Sequence, residues 1–248
     1  MHAIILAAGV GNRLEGLGHD RPKCLLEFGG ETLLARHLRN LGRLGIDDVA
    51  ICTGHESAQV EAAIDASLAR RVHCRFNPAY REGSSVSLWT MRDDLRSGED
   101  ILLMDADVLY APAILERLVV SPVANCFLLD REFEDGEEPM KICVDAAGRI
   151  VEFRKQIAPE LEYNLIGESV GFFRFTPDRA ARIATRSEAY VEAGRRAEHY
   201  EEILRDELLA DPDDFGFEDV TGSPWIEIDF PADVERARNE ILAKADGS

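Results

Sequence analysis

The sequence predicts an α/β protein, a doubly wound, mostly parallel mixed sheet with a small antiparallel elaboration in its second half. Three observations lead there. Short apolar runs of strand length alternate with amphipathic helical segments through the first 120 residues. The first of those runs passes straight into glycines, Ala8-Gly9-Val10-Gly11. Beyond residue 120 the runs are shorter, and turns rather than helices join them.

Ala3–Ala8 is continuously apolar, the pattern of a parallel strand buried on both faces. Thr32–Leu44 places Leu33, Leu34, His37, Leu38, Leu41 and Leu44 on one helical face, and Gly45 follows as a C-terminal cap. Val49–Thr53 reads as a strand, Ser57–Arg70 as a helix and Val72–Phe76 as a strand. A helix over Ser84–Leu95, a strand over Ile101–Met104 and a helix over Pro112–Val119 complete the first half. In the second half Cys126–Asp130, Lys141–Asp145 and Ile150–Phe153 are short strands, the last two joined by the turn Ala146-Ala147-Gly148. Val170–Phe175 is another strand, and helices are expected near Pro177–Arg186 and Glu188–Leu209. Strands Gly216–Val220 and Trp225–Asp229 precede a closing helix from Pro231 to about Ala245. No repeat or linker-like stretch divides the chain, so residues 1–248 read as one domain with halves 1–120 and 121–248.

The composition has 28 Lys+Arg against 47 Asp+Glu, a net charge of −19. Such a surface repels phosphate backbones and anionic lipid, which argues against a nucleic-acid or membrane partner. Any phosphate chemistry must then concentrate the few cations locally, together with a metal ion. The five cysteines are odd in number and spread without a C-x-x-C pair, so they read as small buried hydrophobes in a reducing compartment. No apolar run reaches membrane-spanning length and the start lacks a basic leader, so a cytoplasmic location is expected.

Glycines at 9 and 11 let backbone N–H groups approach an anion, although a plain strand–turn would look the same. Two common phosphate loops do not fit. The dinucleotide fingerprint wants a third glycine where Leu14 stands, and a Walker loop wants Gly-Lys-Ser/Thr. Instead the loop is followed by Arg13 and then by Pro22-Lys23. A planar fork and a point charge together suit a triphosphate. Farther on, the apolar strand Ile101–Met104 ends in Asp105-Ala106-Asp107, with two acids at the carboxyl edge where open α/β sheets bind ligands. One Asp there would be a turn cap, whereas the D-x-D pair favours a hard cation. Trp225-Ile226-Glu227-Ile228-Asp229, followed by Asp233, repeats that layout.

Leu6-Ala7-Ala8-Gly9-Val10-Gly11-Asn12-Arg13-Leu14, Arg21-Pro22-Lys23-Cys24-Leu25-Leu26 and Gly30-Glu31-Thr32-Leu33-Leu34 together resemble the N-terminal signature of the nucleotidyltransferase (pyrophosphorylase) superfamily. The resemblance is dense at residues 3–34, 101–107 and 225–233. It implies a Rossmann-like, GT-A-type fold with the antiparallel part on the substrate side. The first half would then hold the nucleotide, and the second half the acceptor and the closing metal-ligand strand. It also implies a nucleotide grip by Leu6, Ala8, Gly9, Gly11 and Asp105, with Arg13 on the phosphates and Lys23 stabilising charge at the α-phosphate. Asp107 and Asp229 become ligands of Mg²⁺, and Glu227 faces the acceptor. The segment Asn77–Trp89 resembles more closely the cytidylyltransferase branch that activates phosphocholine and related phosphorylated alcohols. There the start of the Ser84–Leu95 helix, capped by Ser84 or Ser85, would meet the base, although a capped helix with Trp89 in the core fits the same residues. Lys141 would hold the acceptor's phosphate, and Glu168, Tyr200, Glu201 and Glu202 would read a cationic head group. The expected partners are a nucleoside triphosphate, CTP before others, and a small phosphorylated or phosphonate acceptor of the phosphocholine, phosphoethanolamine, aminoethylphosphonate or inositol phosphate class. A sugar-1-phosphate uridylyl- or thymidylyltransferase, and a nucleotide-sensing domain without turnover, remain the alternatives.

Overall fold

The computed structural model describes residues 1–14, 21–65 and 71–247. In chain order its strands are β1 (His2–Ala7), β2 (Glu27–Phe28), β3 (Glu31–Thr32), β4 (Asp48–Thr53), β5 (Arg71–Phe76), β6 (Ile101–Asp105) and β7 (Val108–Tyr110). They continue with β8 (Asn125–Asp130), β9 (Lys141–Val144), β10 (Ile150–Arg154), β11 (Leu165–Phe175), β12 (Phe215–Asp219) and β13 (Trp225–Glu227). The main sheet runs β10-β9-β11-β6-β1-β4-β5, with β8 against β11 and β12 against β8. Strands β6, β1, β4 and β5 are mutually parallel, and the strands around β11 are antiparallel except for the β8–β12 pair.

This mixed sheet is covered on both faces because β1 and its neighbours alternate apolar residues to either side. Ala3, Ile5 and Ala7 join a core with Leu34, Leu38 and Leu41 of α1 (Leu33–Arg43), Val60 of α2 (Ser57–Ala62) and residues of a later helix, Pro112–Val120. Ile4, Ala50 and Leu103 face the opposite core, formed by α3 (Ser84–Thr90), α4 (Arg92–Leu95), and, after α5 (Pro112–Val120), by α6 (Pro177–Glu192) and α7 (Tyr200–Ala210). The chain ends in α8 (Pro231–Arg236), a π-helical turn (Ala237–Ile241) and α9 (Leu242–Asp246). Among the described residues no helix is long and apolar enough to cross a membrane.

The chain runs from β1 outward to β4 and β5, then returns across β1 to β6. The strand order therefore reverses between β1 and β6, and the crevice beyond their carboxyl ends is the ligand position of such sheets. Register makes this concrete, because Leu6 lies level with Asp105. The glycine loop and the D-x-D turn consequently leave the sheet side by side.

Several element boundaries differ from the sequence expectation. The Ser57–Arg70 helix is six residues long, ending at Ala62, and residues 66–70 lie outside the described residues. Val60 is the buried residue of α2, and Ala63 and Ile64 pack against the same core from beyond the helix end. The Ser84–Leu95 helix is broken at buried Met91, whose ψ of 9° leaves the helical region, so α3 and α4 each pack on α6. The expected junction of the last two long helices, near residue 187, lies farther on. Gly194, at φ +76°, ends α6 with Gly194 N–H donating to the Val191 carbonyl and Arg195 N–H to that of Tyr190. Residues 195–199 form a loop before α7. Strand β11 is longer than Val170–Phe175 and turns at Gly171, at φ +78°.

Candidate active site

A cavity of about 520 Å³ opens at the carboxyl ends of β1 and β6. Its floor is the loop after β1. Gly11 has a φ of +66°, the left-handed conformation that favours glycine, and a Cβ there would lie 3.2 Å from Cγ of Lys23. A Cβ on Gly9 would meet nothing within 4 Å, and packing within the protein does not explain that glycine.

Lys23 enters on a single 3₁₀ turn, Lys23–Leu25, that Pro22 leads into. Its ammonium donates to Oδ2 of Asp107 at 2.9 Å and to Oδ1 of Asp229 at 2.6 Å. Burial alone would weaken its hold on a proton, but the two carboxylates more than offset this and raise its pKa above the usual lysine value. Arg13, half exposed, donates to Glu138 at 2.6 Å and lies 3.3 Å from Asp229.

The carboxylates converge because β13 pairs antiparallel with β7, the strand directly after the D-x-D turn. Glu227 sits opposite Val108, and the Ile228 N–H donates to the Asp107 carbonyl at 3.0 Å. Asp233 accepts from the N–H groups of Asp229 and Phe230, fixing the turn into α8. Ligand oxygens of Asp107, Glu227 and Asp229 all lie within 4.8 Å of one another. Burial raises the pKa of Asp229, but Lys23 and Arg13 outweigh it and leave the carboxyl below its usual value. Glu227 opens to solvent, yet protein crowding around it, and then Asp107 and Asp229, hold its carboxyl well above the ordinary range.

Asp105 faces the other wall. The Tyr200 hydroxyl donates to its Oδ2 at 2.8 Å, and Gly171 presses close enough that a Cβ there would fall 2.3 Å from that oxygen. Burial, followed by Glu201 and Asp107, raises the Asp105 carboxyl well above normal. Beneath the turn, His37 of α1 places Nε2 3.3 Å from the Ala106 carbonyl, and full burial pushes its pKa down to about 4.

A family model, the MobA-like NTP transferase domain, matches residues 3–162 of the chain. The chain belongs to that family. It is 27% identical over 253 residues to the CMP-5'-(3-aminopropyl)phosphonate synthase of Streptomyces rubellomurinus, which covers 96% of this chain but only 38% of that protein. It is 23% identical over 251 residues to the CTP:phosphoglutamine cytidylyltransferase of Campylobacter jejuni, across 95% of this chain and 98% of that one. The inositol-1-phosphate CTP transferase from T. maritima shares the fold, with a TM-score of 0.77 and 21% identity over 99% of this chain and 96% of that structure.

Leu6, Ala8, Gly9, Gly11, Arg13, Lys23, Ser84, Asp105 and Asp107, from the part of the chain that the MobA-like NTP transferase model matches, line one cavity together with Tyr200, Glu227 and Asp229 from beyond it. Glu227, expected to face the acceptor, lies in the same carboxylate group as Asp107 and Asp229. Four expected residues lie elsewhere. Ser85 is buried, donating to the Arg195 and Arg196 carbonyls while its N–H is taken by Glu198, because the 195–199 loop covers the start of α3. Neither serine caps that helix: the capping position is Gly83, and the Ser84 hydroxyl accepts from the Tyr200 N–H. Lys141 is buried and donates to the carbonyls of Gly136 and Lys155, tying a loop to a strand end. Glu202 is held outside by Arg154 at 2.8 Å. Glu168 lines a second cavity of about 600 Å³ behind Glu227 and Asp229, where burial and then Asp130 push its carboxyl up to about 7. Trp89 is half-buried with the Arg92 guanidinium 4.3 Å over its ring, outside the cavity.

The cavity also contains residues the sequence did not single out, among them Tyr80, Lys155 and His199. Lys155 follows β10 and donates to Glu138 at 3.1 Å. Its only sequence signal is a cation just past a strand end, which Lys141 displays from a strand start with equal force.

Proposed function

We propose that this chain transfers a cytidylyl group from CTP to a small phosphorylated or phosphonate acceptor, releasing pyrophosphate, with Mg²⁺ as cofactor. The observation that carries the reading is Lys23 bridging Asp107 and Asp229 at the mouth of the glycine loop. Two relatives, a CMP-5'-(3-aminopropyl)phosphonate synthase and a CTP:phosphoglutamine cytidylyltransferase, support the choice of CTP.

The donor set suits a hard divalent cation, since Asp107, Glu227 and Asp229 offer oxygen only and carry more negative charge than Lys23 offsets. When bound there, Mg²⁺ would supply charge neutralisation for the triphosphate. The backbone from Ala8 to Gly11 grips the nucleotide, and the open space beside Gly9 lets it approach. Lys23 and Arg13 move from carboxylate partners toward phosphate oxygens and offset charge at the α-phosphorus. Lys155, at the other side of the cavity, takes the acceptor's phosphoryl group in place of Lys141. An acceptor oxygen, already anionic, forms the new bond to the α-phosphorus as the bond to the bridging oxygen of pyrophosphate breaks. No strong general base is needed, and positioning does most of the work. Residues 1–120 then form the nucleotide half and 121–248 the acceptor half of one domain.

The test is pyrophosphate release across the four NTPs with a panel of phosphorylated acceptors and Mg²⁺. The reading expects turnover with CTP. Turnover with UTP and a hexose 1-phosphate, but none with CTP, would overturn it in favour of a sugar nucleotide enzyme. Nucleotide binding without turnover for any acceptor would point to a sensing domain.

A further inference from the structure

Arg13 and Lys155 reach one point of the main cavity from opposite walls. Arg13 lies on the loop after β1 and Lys155 just past β10, yet both donate to the same atom, Oε2 of Glu138, at 2.6 Å and 3.1 Å. Two cations that share one oxygen repel each other unless that oxygen is anionic, so the point between them is a seat for an anion whatever fills it. Lys155, by its hydrogen bond, and then Arg13 hold the Glu138 carboxyl below its usual range, which keeps it charged at neutral pH. Among the described residues no other carboxylate pairs with Lys155.

The carboxylate in the seat is lightly held. Glu138 belongs to the 131–140 connection between β8 and β9, which contains neither helix nor strand. Its side chain is 52% exposed and that of Arg13 44%, so water screens these ion pairs and each contributes little. The neighbouring pair Lys23–Asp229 is the contrast, with side chains only 16% and 15% exposed. Glu138 also lines both the main cavity and the second one behind Asp229, so its carboxylate stands on their boundary with open space on either side. A phosphoryl group meets the same two donors better than a carboxylate does, because it brings more charge and further oxygens for the remaining N–H groups of the guanidinium and the ammonium.

We propose that Glu138 is an internal competitor for the incoming phosphoryl group: its carboxylate fills the Arg13–Lys155 seat, and a phosphate or phosphonate dianion binds by displacing it. That the incoming anion is the acceptor rests on the cytidylyl-transfer reading above; the competition itself does not. Since the carboxylate must leave before any anion enters, it weakens them all by one common factor.

The probe is methylphosphonate, titrated calorimetrically into the wild type, Glu138→Gln, Glu137→Gln and Lys155→Met, and into Lys155→Met combined with Glu138→Gln. Glu138→Gln should tighten binding by about 3–10-fold, the combined worth of two exposed ion pairs, while Glu137→Gln, which removes an equal charge from the adjacent residue, should change it by less than about 2-fold. In the Lys155→Met background the gain from Glu138→Gln should shrink, because Arg13 alone then holds the carboxylate. Unchanged or weaker binding in Glu138→Gln would overturn the proposal, as would an equal gain in Glu137→Gln or an undiminished gain in the Lys155→Met background. Absence of binding to both the wild type and Glu138→Gln would overturn it as well. Pyrophosphate release with CTP and a panel of phosphorylated acceptors, measured on the same proteins, keeps the two readings apart. An acceptor KM lowered in Glu138→Gln by the factor seen in the titration supports the acceptor as the displacing anion, and an unchanged KM overturns that assignment. If no acceptor is turned over with CTP, the cytidylyl-transfer reading fails and the titration still decides the competition.

Discussion

The ammonium of Lys23 lies 2.6 Å from Oδ1 of Asp229, although 206 residues separate the two in the chain. The contact joins the first loop of the sheet to the last strand of the fold, and Asp107 completes it from the middle of the chain. Removing the lysine takes away the cation shared by the two carboxylates and leaves Asp229 with Arg13 at 3.3 Å. Lys23→Met should therefore cut the rate of pyrophosphate release by about 10²–10³-fold, the usual cost of one charge-stabilising group, with a smaller effect on CTP affinity. Steady-state kinetics with CTP and a fixed acceptor would check the split.

The carboxylate group is expected to hold the divalent cation by charge and by oxygen count. Asp107→Asn and Asp229→Asn should each weaken Mn²⁺ binding measured by calorimetry, by about 10-fold or more, because each removes an anionic ligand from a hard-cation site. Glu227→Gln should weaken it as well. Full Mn²⁺ affinity in both aspartate variants would mean that the metal sits elsewhere.

Gly171 should tolerate no side chain. Its φ is +78°, and a Cβ would fall 2.3 Å from Oδ2 of Asp105. Gly171→Ala carries both the left-handed backbone penalty of about 1–2 kcal/mol and the displacement of a carboxyl held by Tyr200. Thermal denaturation should show a melting temperature lowered by several degrees, and activity should fall with it.

His37 makes stability pH-dependent on the acid side. Its pKa is about 4 when folded against 6.5 as the ordinary value, because burial disfavours the charged ring. The unfolded chain thus binds the extra proton first, and stability present above pH 6.5 is lost as pH falls toward 4. The loss should approach about 3 kcal/mol from this residue alone. Denaturant titrations of the wild type and His37→Gln between those pH values should converge as the pH drops, since glutamine can still donate to the Ala106 carbonyl without titrating.

Much of the site was legible because its residues sit in short local patterns. Gly9, Gly11 and Arg13 follow one strand within a few residues of its end, Lys23 comes ten residues after Arg13 on the next short turn, and Asp105 and Asp107 close another strand. The sheet register that sets Leu6 beside Asp105 then brings the two patterns together. What the sequence did not reveal depends on distant pairing. The third carboxylate, Glu227, joins Asp107 and Asp229 only because β13 zips onto β7. Ser85 looked available at a helix start until the 195–199 loop, released by Gly194, covered it. Lys141 and Lys155 are equivalent as cations near strand ends, and only the pairing of β9 and β10 turns one inward and leaves the other in the cavity. Helix lengths were less legible: Ala63 and Ile64 continue the apolar pattern and pack against the core, yet the helix closes at Ala62.

The central claim is that Lys23, Asp107 and Asp229 serve nucleotidyl transfer from CTP. It is tested most directly by incubating the protein with α-labelled CTP, 2-aminoethyl phosphate and Mg²⁺, and following both the label and pyrophosphate. Label should enter a CMP–acceptor product in one-to-one ratio with pyrophosphate, and both should vanish in the Asp107→Asn, Asp229→Asn double variant. Equal transfer by that double variant, or pyrophosphate formed without any labelled conjugate, would contradict it.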